Sequence, residues 1–90
     1  MTDFIFYSIA VEDPILPDCP LPPLPTIRRG ALVIVNGRAP IWRYGQAFHR
    51  LHGSRAGAIA VYDPRLGAVV VASHSPDYKD GQVIDITPPE

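Results

Sequence analysis

The stretch AVYDPRLGAVVVASHS, residues 60–75, sets Asp63, Arg65 and His74 around the most apolar run of the chain, and HRLH just before it adds His49 and His52. These residue types name a chemistry. Imidazole donates and accepts protons near neutrality and ligates divalent metals. Guanidinium grips phosphate oxygens two at a time and stabilises developing negative charge, and a carboxylate can position an arginine or bind a metal. His49 and His52, three apart on one helical face, have the spacing of metal-binding pairs, although HxxH also arises by chance. No serine or cysteine is set up as an activated nucleophile.

The elements that must carry these residues follow from local pattern. Phe4 to Val11 is a first strand, rich in aromatic and β-branched residues. Residues 14–25, PILPDCPLPPLP, contain six prolines, whose fixed φ and missing N–H forbid a helix or central strand. Leucine and isoleucine alternate with those prolines, as in a crossover lying along the core; a polyproline ligand is the functional alternative. ALVIV, residues 31–35, is a strand covered on both faces. Asn36 to Ala39 turn, and Pro40 suits the first position of a helix predicted over 40–53, with Ile41, Tyr44, Gly45, Phe48, Leu51 and His52 on its inner face and Gly53 as its stop. GAIAVY is the next strand, DPRLG a turn, AVVVAS an antiparallel return, and QVIDI a last short strand before the tail TPPE.

The strand–turn–helix–strand order predicts two parallel strands joined by a helix, in a small α/β domain with a mixed sheet and one main helix over residues 1–90. Ligands of such folds bind at the carboxyl ends of the strands. Gly37, Arg38 and Pro40 belong at that rim, where an exposed helix N-terminus beside arginines makes a phosphate site. Asp63 and Arg65 emerge at the same rim. His49 and His52, late in the helix, and His74, at the end of the returning strand, arrive at the opposite rim. One chain therefore keeps its three histidines far from Asp63 and Arg65.

Composition limits the alternatives. Hydrophobic residues at 47% against 19% charged describe a globular chain rather than a disordered one. A net charge of −1 argues against a broad nucleic-acid coat, while arginine supplies seven of the eight basic residues. The single Cys19 makes no internal disulfide. No run is long enough to span a membrane, and FIFYSIAV lacks a signal peptide's basic flank, so a cytoplasmic protein with a thin core and a tendency to self-associate is expected.

NGRAPIW, HRLH, AVYDPRLGAVVV, SHS and DGQVIDI together resemble the CRISPR-associated Csx-three proteins, the third CRISPR ring nuclease family, from about Val33 to Asp85. The resemblance implies a Rossmann-like fold that binds cyclic oligoadenylates, and a dimer that cleaves cyclic tetra-adenylate to switch off type III CRISPR antiviral signalling, with manganese supporting activity. It also implies RNA binding and a manganese-dependent RNA deadenylating exonuclease as an alternative activity. A non-enzymatic cyclic oligoadenylate or RNA-binding module is the other alternative. By resemblance His52, Asp63 and Arg65 match catalytic positions, His74 matches the other motif histidine, and GRAPIW is the ligand-facing turn. His49, His52 and His74 are the candidate metal ligands. Dimers stacked head to tail, as tetramers or filaments, would bring the arginine rim of one onto the histidine rim of the next. The segment between helix and YDPRLG is two residues longer than in the family, and the C-terminus after VIDI is short.

Overall fold

The computed structural model describes residues 4–89. Met1 to Asp3 and Glu90, which the expected domain and tail include, lie outside the described residues. One five-stranded sheet runs in the order β1 (Phe4–Ser8), β2 (Leu32–Asn36), β3 (Ala58–Asp63), β4 (Gly67–Ser73), β5 (Val83–Ile84), with α1 (Ile41–His52) between β2 and β3. β1, β2 and β3 are parallel, β4 runs antiparallel to β3, and β5 runs antiparallel to β4. This is the mixed-sheet, one-helix α/β fold expected of the sequence, consistent with a small Rossmann-like domain. No helix among the described residues is long and apolar enough to cross a membrane.

The unbroken run of β2 has a direct cause. Val33 and Val35 point into a core beneath α1, while Leu32 and Ile34 point into a second cluster on the other face. A strand buried on both sides has no polar positions to alternate. Both crossovers, the proline connector and α1, pack on the same face as Val33 and Val35. The sheet is thus wound in one direction, and its other face is fringed by Phe4, Phe6, Tyr62, Tyr78, Ile84 and Ile86 instead of a helix layer.

Several local expectations shift. β1 ends at Ser8 rather than Val11: the Ile9 and Val11 N–H groups still donate to the carbonyls of Asn36 and Arg38, but the Ala10 N–H turns to the Ser8 hydroxyl oxygen at 3.4 Å. β5 is reduced to Val83–Ile84, which pair with Val69 and Ala68 of β4, while Gln82 contributes only its carbonyl, accepting the Val70 N–H at 2.8 Å. Pro40 caps α1 from outside with extended ψ rather than opening it. Gly53 stops the helix as expected, with an ordinary negative φ of −88°, and Ser54 ties down the end: its N–H and hydroxyl donate to the Leu51 carbonyl at 3.0 and 2.6 Å. The buried stripe of α1 is Arg43, Ala47 and Leu51, flanked by Tyr44 and Phe48, so Ile41 and His52 face solvent.

Arg43 explains that rotation. It is only 3% exposed, and its Nε donates to the Ile9 carbonyl at 3.0 Å while an Nη reaches the Pro20 carbonyl at 3.5 Å. An arginine in this position ties the exit of β1, the connector and the first turn of α1 together. Tyr7 and Gln46 add bonds to the carbonyls of Pro22 and Pro17, at 2.6 and 3.0 Å, so the connector is pinned along its length while Leu21, Leu24 and Ile27 fill the core. Burial pushes the Tyr7 phenol up from its ordinary value, against the opposing pull of Arg50 and Arg43.

Gly37 is the tightest point of the carboxyl rim. Its φ is +120°, and a Cβ there would lie 2.6 Å from the Ala10 nitrogen. Gly37→Ala must move the exit of β1 as well as adopt a disfavoured backbone, at a cost of roughly 2–4 kcal/mol. A fall of that size in urea-unfolding stability is expected; an unchanged midpoint and slope would contradict this packing.

Candidate phosphate rim and histidine pair

The carboxyl rim is assembled by two turns at the ends of neighbouring parallel strands. After β3, Asp63 folds its own turn: its carboxylate accepts the Arg65 backbone N–H at 2.8 Å and the guanidinium Nε and Nη at 3.4 and 3.3 Å, while its carbonyl accepts the Leu66 N–H at 3.0 Å. Gly67 must be glycine, because its φ is +111° and a Cβ would meet the Ile84 carbonyl oxygen of β5 at 2.5 Å. The Arg65 side chain is 87% exposed, so the pair presents a guanidinium to solvent. Hydrogen bonds from Arg65 hold the Asp63 carboxyl below the usual aspartate range. A carboxylate so held is a weak proton acceptor and a good positioning group.

After β2, Gly37 and Arg38 turn into Pro40 and the N-terminus of α1. Val35 pairs with Val61, so this turn adjoins the Asp63 turn at the strand spacing of about 4.8 Å. Tyr44 reaches back and donates its hydroxyl to the Gly37 carbonyl at 2.6 Å. Two open cavities flank the helix N-terminus. One of about 670 Å³ is lined by Val11 to Pro14, Arg38, Ala39 and Pro40; the other, of about 470 Å³, runs between α1 and Asp63, Pro64 and Arg65. Exposed arginines beside helix-end N–H groups have the positive charge and donors that complement phosphate.

At the other rim, His52 leaves the last turn of α1 and His74 follows β4, and their rings lie 5.4 Å apart, tilted by 50°. An extra residue in β4 at the irregularity opposite Ile59 and Ala60 brings Ser73 level with Ala58, and the His74 N–H donates to the Gly57 carbonyl at 2.8 Å. The serines of SHS build the turn that presents His74. Ser73 Oγ accepts the Ser75 N–H at 3.1 Å and lies 2.9 Å from the Tyr78 carbonyl, and Ser75 Oγ accepts the Asp77 N–H at 3.1 Å. His74 and His52 both remain exposed.

From Gly57, bonded to His74, to Asp63 is six residues of extended chain, about 20 Å. The structure therefore brings His52 to His74, and Asp63 to Arg65 beside the Arg38 turn, and keeps the two groups apart. His49 lines cavities with His52 and with Cys19, but no group of three or more His, Cys, Asp or Glu among the described residues is arranged to hold a metal. A divalent ion would take two imidazoles from this rim, His52 and His74, and need its other ligands from bound phosphate, water or another chain. Burial of Arg43 and the outward position of Ile41 are not legible in the helical pattern. An arginine inside an amphipathic pattern signals a solvated face, and only the carbonyls of Ile9 and Pro20, distant in sequence, reveal otherwise.

The depressed Asp63 carboxyl gives a direct check. Its bonds to Arg65 are made by the ionised form, so their support of the turn is complete above the ordinary aspartate range and is lost as pH falls through the lower folded value. Carboxyl-carbon NMR should place the Asp63 midpoint below that of free aspartate, and Arg65→Ala should raise it; equal midpoints in both proteins would remove the pair from the account.

An uncharacterized protein of Aquifex aeolicus strain VF5 is 53% identical to this chain over 53 residues, covering 58% of this chain and 46% of that protein. The matched segment thus spans about half the length of that relative. Residues 8–85 match the family described as CRISPR-associated protein (Cas_csx3), and the chain belongs to that CRISPR-associated family.

Proposed function

We propose that this protein is a ring nuclease that binds cyclic tetra-adenylate at the Arg38/Arg65 rim and cleaves it in a site completed by the histidine rim of a second, stacked copy. The separation of His52 and His74 from Asp63 and Arg65 by the length of β3 is the observation that carries this reading. Binding groups for phosphate stand at one end, and proton-transfer groups at the other.

Cleavage needs no protein nucleophile. The ribose 2′-hydroxyl attacks its adjacent phosphorus, its proton passes to one imidazole, the bond to the 5′-oxygen breaks, and that oxygen takes a proton from an imidazolium. The products are a 2′,3′-cyclic phosphate and a 5′-hydroxyl. Arg65, aimed by Asp63, and Arg38 neutralise the non-bridging oxygens as charge builds. His52 and His74 are paired closely enough to serve as acid and base or to ligate manganese, which would supply Lewis-acid stabilisation when bound. A head-to-tail contact of this kind is heterologous and propagates unless it closes.

The deciding assay incubates the chain with cyclic tetra-adenylate and with linear oligoadenylate, with and without manganese, and identifies the products. Linearised or halved rings ending in cyclic phosphate are expected, with specific activity rising as protein concentration rises. Stepwise release of mononucleotides from linear RNA would favour the deadenylating exonuclease. Tight binding without any product would favour a sequestering module, and rate per chain independent of concentration would remove the composite site.

A further inference from the structure

We infer that the groove between α1 and the end of β3 is a base-binding subsite, which stacks one flat nucleobase of a ligand whose phosphate is held by Arg65; this rests on the nucleotide reading of the carboxyl rim. Ile41, the first residue of α1, is 86% exposed, an apolar side chain left in water beside an arginine. It lines the 470 Å³ groove with Tyr44 and Phe48, across from Val61 of β3, and Asp63 to Arg65 lie at its end.

The walls are fixed before any ligand arrives. The Tyr44 hydroxyl is bonded to the Gly37 carbonyl at 2.6 Å, and its ring packs against Phe48 with centroids 6.2 Å apart. That bond also couples the groove to the Arg38 turn. An apolar, partly aromatic slot whose mouth carries an exposed cation is complementary to an apolar ring that bears an anion, and a nucleotide is such a ligand. Asp63, the acid at the mouth, is already engaged by Arg65. Because the slot offers faces rather than donors and acceptors, it distinguishes a nucleotide from a bare phosphate more sharply than one base from another.

The test follows the Ile41 δ1 methyl by NMR in the full chain, with Ile41→Val assigning the resonance and calorimetry run in parallel. Cyclic tetra-adenylate should shift that methyl upfield through the ring current of a stacked base, saturating with the calorimetric isotherm, while pyrophosphate leaves it in place. Ile41→Glu should weaken cyclic tetra-adenylate binding about tenfold. Saturable binding with an unmoved methyl and parental affinity in Ile41→Glu would overturn the subsite and leave the phosphate rim standing. A concentration-dependent shift without nucleotide would place a second copy in the groove and also overturn it. Failure of the native chain to bind cyclic tetra-adenylate at all would overturn the subsite together with the nucleotide reading.

Discussion

Parallel pairing of β2 with β3 is the constraint on which the rest depends. Two parallel neighbours oblige the chain to leave the sheet at one rim and return to the other before it can pair again. Here α1 makes that journey, about 18 Å for its 12 residues. The turns that follow β2 and β3 are therefore neighbours at the carboxyl rim, and the end of α1 is delivered to the opposite one. β4 then runs antiparallel and carries His74 back to meet His52. The polar residues are divided between the rims by strand direction alone.

The same constraint explains how so short a chain supports an exposed site. β2 is buried on both faces, and the two crossovers lie on one of them, so the helix-side core is closed by α1 and by a connector with no regular hydrogen bonding of its own. Side chains supply what the prolines cannot: Tyr7, Arg43 and Gln46 donate to three connector carbonyls. Arg43 also grips Ile9, next to the Ala10 backbone that Gly37 approaches, so it joins the connector and the helix start to the carboxyl rim.

Legibility in the sequence followed the range of the forces involved. The β2 run, the DPRLG turn and the helix after Pro40 are local patterns, and topology then placed Asp63, Arg65, Gly37 and Arg38 at one rim and the histidines at the other. Strand and helix ends were less legible because they depend on partners: Val11 lacks a strand neighbour beyond the Arg38 carbonyl, and of QVIDI only Val83 and Ile84 form ladder pairs with β4, Gln82 adding a single carbonyl bond to Val70. The face of α1 differs from its apolar pattern because the Ile9 carbonyl needs a donor, and Arg43 satisfies it at the expense of an outward-facing Ile41. His49 had the spacing of a metal ligand, yet the ring partner of His52 comes from β4.

The central claim is that arginine and histidine groups from different copies act on one ligand. Its most direct measurement mixes Asp63→Ala with His74→Ala, each inactive alone, and follows cyclic tetra-adenylate cleavage at concentrations where copies associate. Stacked complementary rims predict that the mixture recovers a substantial fraction of native activity, since some contacts join an intact arginine rim to an intact histidine rim. A mixture as inactive as its components, under conditions where the two variants are shown to co-assemble, would contradict a site shared between copies.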